Sequence, residues 1–529
     1  MRNLVIIGLD GATWDLLLPL AESGFLPNIQ TLLDNGVYGI LESSIPPITA
    51  PAWVSFATGK NPGKHGIYDF IMPEESLANL RTISSMDIKS KTFYELLDFK
   101  GYKSILINLP VSYPPRNSYI TLTSLLTKGG NYSFPESIAK EIPEIKEYRI
   151  FPDASLAVKK DKKEYFENIR DMERRRYAIA KALFENKPWD LFFVLFSGTD
   201  WVQHMVFDQL ISNSFAEGHP AMSLYKDLDE YIGYFLKHLP KGANMIILSD
   251  HGFRTYKGIV YINRLLEEHG LLRVKDSLKK EIHITEFEEQ VSMFKHKIRI
   301  RLPIKIWNFI RRCNLVKLLN LMQKNTPIHF YLQAEADVEN TFAYYLTFES
   351  LGIYINSRKK FEKSSIIAPE KYIPVENDII NILRRLKESH IIHDFWKDTD
   401  IYIGQNLKNV PDLIFLPENY WPSPLLLTEN DKVNAPLNHH DLYGIFLAFG
   451  PDFKKGEKVE NMRIYDIAPT ILHLFDLPIP ADIDGKVAWN IFEEDSYYKR
   501  KIPEYVSPKY YDRFKEKYKI KSVIERLKL

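Results

Sequence analysis

The sequence predicts an α/β fold: a mostly parallel central sheet with helices on both faces and an inserted cap region. Two observations carry that expectation. Three near-continuous apolar runs, Leu4–Leu9, Leu191–Phe196 and Asn244–Leu248, read as strands buried on both faces, as parallel strands are. The first 130 residues alternate short apolar runs with amphipathic stretches, the pattern of strand–helix–strand units. A third feature bears on use: an acid stands just beyond each run, as Asp10, Asp200 and Asp250. In open α/β sheets, ligands bind at the carboxyl ends of strands.

In chain order, strands are expected at 4–9, 37–42 and 103–108, with helices at 27–34, 51–58 and 91–98. A long charged helix over 160–186 leads into the strand at 191–196, and a helix at 221–238 precedes the strand at 244–248. Residues 276–290 are acidic and mixed, whereas Val291 to Ala334 has no acidic residue and nine Lys/Arg. Over 291–324 this reads as a basic amphipathic segment, divided by Pro303, suited to a solvated face, an anionic partner or peripheral contact with a membrane surface. Strands return at 342–346, 352–355, 413–416 and 444–449, with a helix at 375–388. The expected division is a core from 1–270, a cap from 271–405, a second core part from 406–495, and a Lys- and Tyr-rich tail from 496–529, peripheral or partly disordered.

A chain of 529 residues can bury a full core and more than one structural unit. A formal net charge of +1 argues against a dedicated nucleic-acid binder. The single cysteine, Cys313, excludes an intrachain disulfide framework. The opening residues carry no signal-peptide pattern, and no run reaches the ~18–20 apolar residues of a membrane span, so a cytoplasmic protein is expected.

Two of the acids come with histidines, in Asp200-x-x-x-His204 and Asp250-His251. Carboxylates mixed with imidazoles suit zinc or manganese. On a helix, Asp200 and His204 share a face and can hold one ion. Adjacent residues usually point apart, so Asp250 and His251 need a turn to share an ion, or else serve two different ones. A later candidate is His440, with its neighbour His439 equally eligible by spacing. Thr49, two residues before Pro51, falls at the start of a helix, where backbone N–H groups and the helix dipole favour an anion. Thr in that position is more often a cap. A neighbouring metal would turn the hydroxyl into a nucleophile.

Taken in order, Asp10, Thr49, Asp200-x-x-x-His204, Ser249-Asp250-His251-Gly252 and a late His before Gly444-Ile445-Phe446 resemble the alkaline phosphatase superfamily. The nearer resemblance is to its type I phosphodiesterase/nucleotide pyrophosphatase branch. Thr58-Gly59-Lys60-Asn61-Pro62-Gly63-Lys64-His65-Gly66-Ile67, Asp466-Ile467-Ala468-Pro469-Thr470 and Asp484-Gly485-Lys486 fit it too. The resemblance implies two divalent metal ions, zinc first and manganese as the alternative. One would be held by Asp200, His204 and His440, with His439 as the fallback. The other would be held by Asp10, Asp250 and His251, with Thr49 bound to it. It implies in-line attack by Thr49 on phosphorus, a phosphothreonine, and a phosphoester substrate such as a nucleotide, whose leaving group the cap selects; the basic segment over 291–324 would instead suit a lipid-linked phosphoester at a membrane surface. One departure stands out: the family resembles His-Gly-Ile followed closely by Asn, where this chain has Asp69, which cannot donate to an anion when ionised. Lys60 or Lys64 are the cations at hand to compensate.

Other readings compete. The Gly59–Lys64 stretch lacks the glycine spacing and the Ser/Thr of a P-loop. A sulfatase would need a Cys- or Ser-centred motif that neither Cys313 nor Thr49 supplies. A phosphomonoesterase or phosphomutase of the same superfamily resembles a Ser nucleophile instead. An inactive membrane-peripheral binding protein would have no need of all six candidate ligands.

Overall fold

The computed structural model describes residues 3–275 and 336–514, apart from 118, 158, 160, 217, 364–366, 368, 427 and 429. It also gives the backbone of 282–291 and 294–303. The chain divides into two compact units. The first comprises residues 1–67, 83–254 and 440–529; the second comprises 68–82 and 255–439.

The first unit is built on a nine-stranded sheet. Its middle is Asn244–Leu248, Leu4–Leu9 and Leu191–Phe196, side by side and parallel. All seventeen of their residues are buried. Ser104–Ile107 and Ile120–Leu122 extend the parallel run on one side, closed by the antiparallel Ser133–Phe134. On the other side Tyr443–Phe449 runs antiparallel between Asn244–Leu248 and Val37–Glu42, and Glu457–Arg463 closes that edge in parallel. The sheet is therefore mostly parallel, as expected.

Register decides where the chemistry goes. Gly8 pairs with Leu195 on one side and Leu248 on the other, so all three central strands end at one level. Asp10, the turn before Asp200, and Asp250 leave the sheet at that edge. Because Tyr443–Phe449 runs the opposite way, its beginning comes to the same edge and brings His440 with it.

Helix Thr49–Thr58 packs on this sheet with all ten residues buried. Trp53 lies edge-on to Phe56 and Phe193, with ring centroids 5.3 and 5.7 Å apart. The expected helix at 51–58 thus begins two residues earlier, at Thr49, because Pro51 needs no N–H partner in the first turn. Strand Glu457–Arg463 was not anticipated from sequence: only Val459 and Met462 of it are buried, so it carries no sustained apolar run.

The tail does not behave as a peripheral appendage over its described part. Tyr505–Val506 pairs in parallel with Ile479–Pro480, and Tyr511 is fully buried with its hydroxyl donating to Pro478 O at 2.7 Å. Aromatic side chains, not apolar periodicity, anchor it to the core. Residues 515–529 lie outside the described residues.

The second unit has a four-stranded antiparallel sheet in the order Ala343–Tyr345, Gly352–Ile355, Leu413–Pro417, Ile392–Lys397, with helix Pro369–Glu388 contributing to its core. Strand pairing places Leu413–Pro417 in this unit, whereas residues 406–495 were expected as one piece of the core. The backbone of Ile282–Val291 and Phe294–Pro303 forms an antiparallel hairpin. The side chains of the basic segment over 291–324 lie outside the described residues, as does its expected helix beyond Pro303. Among the described residues no helix is long and apolar enough to cross a membrane.

Candidate active site

At the common edge of the sheet, seven side chains of the first unit converge. Helix Gly198–Ile211 carries Asp200 in its first turn and His204 one turn later, on one face. His204 Nε2 and His440 Nε2 each stand 3.3 Å from Asp200 Oδ1, and 3.1 Å from one another. The neighbouring group is Asp10, Asp250 and His251, with His251 Nε2 3.6 Å from Asp10 Oδ1 and 3.4 Å from Asp250 Oδ2. The two groups touch: the rings of His251 and His440 stack with centroids 3.7 Å apart. Candidate ligand atoms of Asp10, Asp250 and His251 lie within 4.8 Å of one another, as do those of Asp200, His251 and His440.

Thr49 opens the buried helix as its first residue, after Ile48, and its side chain caps nothing. Instead Thr49 Oγ1 lies 3.5 Å from His251 Nε2. The capping role that base rates favour is therefore absent, and the hydroxyl faces the acidic cluster. His251 Nδ1 is 3.0 Å from Gly252 O, a contact that requires the proton on Nδ1. That leaves Nε2 facing Asp10, Asp250 and Thr49.

Local geometry bears on two questions that spacing left open. The turn at Asp250-His251 brings both side chains to one place, so adjacency is no obstacle. Successive residues of a strand face opposite sides, and of the pair on Leu437–Asp441 it is His440 that meets Asp200. His439 stacks on Trp421, with centroids 3.7 Å apart, and stands 3.4 Å from Glu349 Oε1 in the second unit.

The cluster is electrostatically unfinished. Asp10 Oδ1, Asp200 Oδ1 and Asp250 Oδ2 are buried and accept no hydrogen bond. Burial, then the charges of Asp250 and Asp200, push Asp10 well above the usual carboxylate range. Burial raises Asp250 as well, against the pull of His251. Burial acts on Asp200 in the same sense, but His204 and His440 hold it well below the usual range. Two buried carboxylates, the partly buried Asp200 and three imidazoles, with acceptor atoms turned inward, suit divalent cations of the zinc or manganese type.

A scaffold of hydrogen bonds that sequence inspection missed fixes the loops. Thr199 Oγ1 donates to Asp10 O at 2.5 Å, and Gln203 Nε2 to Gly11 O at 2.8 Å. Ser249 Oγ donates to Ala12 O and accepts from Ile445 N, both at 2.8 Å. Ser43 Oγ donates to Asp250 O at 2.5 Å. Gly11 has φ +65°, and a Cβ there would come 3.1 Å from His251 Cε1 and 3.4 Å from Asp200 Oδ1. Gln203 and Ser249 sit inside the recognisable motifs; Thr199 and Ser43 carry no such signal.

Lys60 and Lys64 are both taken up by carboxylates of this unit. Lys60 pairs with Asp482, and Lys64 with Asp484, whose Oδ2 also accepts from Asn61 N at 2.9 Å. They are clamps joining the Gly59–Gly66 turn to the Asp484-Gly485 turn. His65 is fully buried, receives Ile67 N on Nδ1 at 3.1 Å and lies 3.1 Å from Ser55 Oγ. Burial, and then Lys60, lower it to about 3, which keeps it neutral.

Asp69, in the second unit, accepts from Thr347 Oγ1 at 2.6 Å, Ser350 Oγ at 3.1 Å and Phe70 N at 2.5 Å. Burial raises it to about 6 despite those donors. Its folded value exceeds the ordinary 3.8, so the native state binds more protons between these values and loses stability as pH rises through them. Asp69→Asn is therefore expected to stabilise the protein above pH 6, by up to about 3 kcal/mol, and to lose that advantage below pH 4. Thermal melts of both proteins across this range check it; a variant less stable at pH 7 would contradict the assignment.

With the geometry in place, comparison with known proteins is decisive in one respect. A type I phosphodiesterase/nucleotide pyrophosphatase family model matches residues 4–303. The chain belongs to this family. Membership marks it as a phosphoester hydrolase of the phosphodiesterase/pyrophosphatase type. Among solved structures, family-like folds recur. Murine ectonucleotide pyrophosphatase/phosphodiesterase 5, an inactive variant in complex with AMP, is 16% identical, covering 93% of this chain and 100% of that one, with a TM-score of 0.51. Phosphonoacetate hydrolase from Sinorhizobium meliloti 1021 in complex with phosphonoformate is 16% identical, covering 88% and 94%, also with a TM-score of 0.51. At such identities the likeness is one of fold. No curated protein matches the sequence.

Proposed function

We propose that this family member hydrolyses phosphodiesters or pyrophosphates through Thr49, in a site that takes two divalent cations. The observation that carries the reading is Thr49 Oγ1, 3.5 Å from His251 Nε2 at the start of a fully buried helix, where two acid–imidazole groups meet. Asp10, Asp250 and His251 with Thr49 would hold one cation, and Asp200, His204 and His440 the other. When bound, these ions supply positive charge for the transferring phosphoryl oxygens and lower the pKa of the threonine hydroxyl.

The chain's own contribution is positional. The helix N-terminus at Thr49 presents its dipole to a phosphate. Buried surroundings strengthen every charge interaction there. Thr49 Oγ1 gives up its proton and bonds to phosphorus as the ester oxygen departs on the opposite side and takes a proton from solvent; water then cleaves the phosphothreonine, its oxygen going to phosphorus and a proton returning to Thr49 Oγ1. Nucleotides and phosphonates are bound by the two structural relatives named above; for this chain, a nucleotide-like diester is the class we propose.

Metal analysis of the purified protein, paired with bis-p-nitrophenyl phosphate and p-nitrophenyl phosphate as substrates, tests this. Two transition-metal ions per chain and faster turnover of the diester are expected. Preference for the monoester would move the assignment to a phosphomonoesterase.

A further inference from the structure

The long helix Lys163–Asn186 hides a pair that looks ordinary in sequence, Glu173 and Arg176, three residues apart. Both are fully buried and form an ion pair. Isolated buried pairs contribute little to stability, because desolvation offsets their attraction. What distinguishes this one is what its remaining polar atoms touch. Glu173 Oε1 accepts from Gly198 N at 2.6 Å. Arg176 donates to Ser197 Oγ at 3.2 Å and to Arg149 O at 3.2 Å.

Ser197 and Gly198 begin the helix that carries Asp200 and His204. The first turn of a helix leaves N–H groups without intrahelical acceptors, and Ser197 makes no side-chain cap of its own. Glu173 therefore caps this helix from another element, two residues before Asp200. Gly198 makes the approach feasible: a Cβ there would stand 2.9 Å from Glu173 Cγ and 3.0 Å from Ile169 Cγ2.

We propose that Glu173 and Arg176 are positioning residues that fix the Asp200 carboxylate against His204 and His440, and so set the divalent-cation affinity of that half of the site. The inference rests on the two-cation reading above. Outer partners that orient ligands typically change metal affinity 10–100-fold when removed.

The test is cobalt(II) titration of the metal-free protein, read by visible absorption, which reports ligand geometry without turnover. Asp200→Ala identifies which phase belongs to the Asp200 group. The double variant E173L/R176M replaces the pair by apolar side chains of similar volume, which buried pairs commonly tolerate. In a folded double variant, the Asp200 phase is expected to weaken roughly 10–100-fold with an altered spectrum, while the other phase is unchanged. G198A leaves both charges in place but drives the turn away from Glu173; it is expected to weaken the same phase, although alanine favours helix. If the double variant does not fold, G198A decides. Wild-type titration of both phases in a folded variant overturns the positioning role alone. A wild-type protein that binds no cobalt overturns the two-cation reading and this inference with it.

Discussion

Thr49→Ala is expected to reduce turnover of a phosphodiester by on the order of 10³-fold or more, because the proposed nucleophile and the intermediate it would form are lost together. The fold gives this variant an unusual advantage as a test. Thr49 caps nothing, so alanine removes no helix hydrogen bond, and alanine is the better helix former. Thermal stability is expected to change by less than about 1 kcal/mol. Cobalt binding by Asp200, His204 and His440 is expected to persist. Thr49→Ser retains the hydroxyl and is expected to keep activity within roughly tenfold of wild type. Wild-type turnover by the alanine variant would exclude Thr49 as nucleophile.

Removal of divalent metal is the second large effect expected. Chelation should bring activity to background, and zinc or manganese should restore it. The structural reason is the crowd of buried acids: Asp10 is raised by burial and by its acidic neighbours, and Asp10 Oδ1, Asp200 Oδ1 and Asp250 Oδ2 accept no hydrogen bond. A cation bound there would relieve that repulsion in the folded chain and would have no such site in the unfolded one. At a thousandfold excess over Kd, each site contributes about 4 kcal/mol. The melting temperature should therefore fall on the order of 10 °C on chelation. Calorimetry with and without chelator measures this; an unchanged melt together with unchanged activity would rule out a cation-dependent site.

Much of this was legible in the primary sequence. The strands Leu4–Leu9, Leu191–Phe196 and Asn244–Leu248 announce themselves because burial on both faces demands continuous apolar residues. The acid that follows each, and the helical spacing of Asp200 and His204, are local features, so a linear reading reaches them. Glu457–Arg463 and the clamps at Lys60 and Lys64 escaped, since each depends on a partner hundreds of residues away, and Tyr505–Val506 escaped because two residues carry no periodicity.

By itself, the sequence determined the parallel core, the order of candidate ligands and the family they resemble, because these depend on periodicity and short spacing. The tertiary structure alone decided which of two adjacent histidines meets Asp200, that Thr49 is no cap, and that Glu173 reaches across to the turn before Asp200. Those outcomes turn on strand direction and on side chains meeting across large sequence separations. Spacing along a chain encodes what a helix or strand will present; only packing determines what it will face.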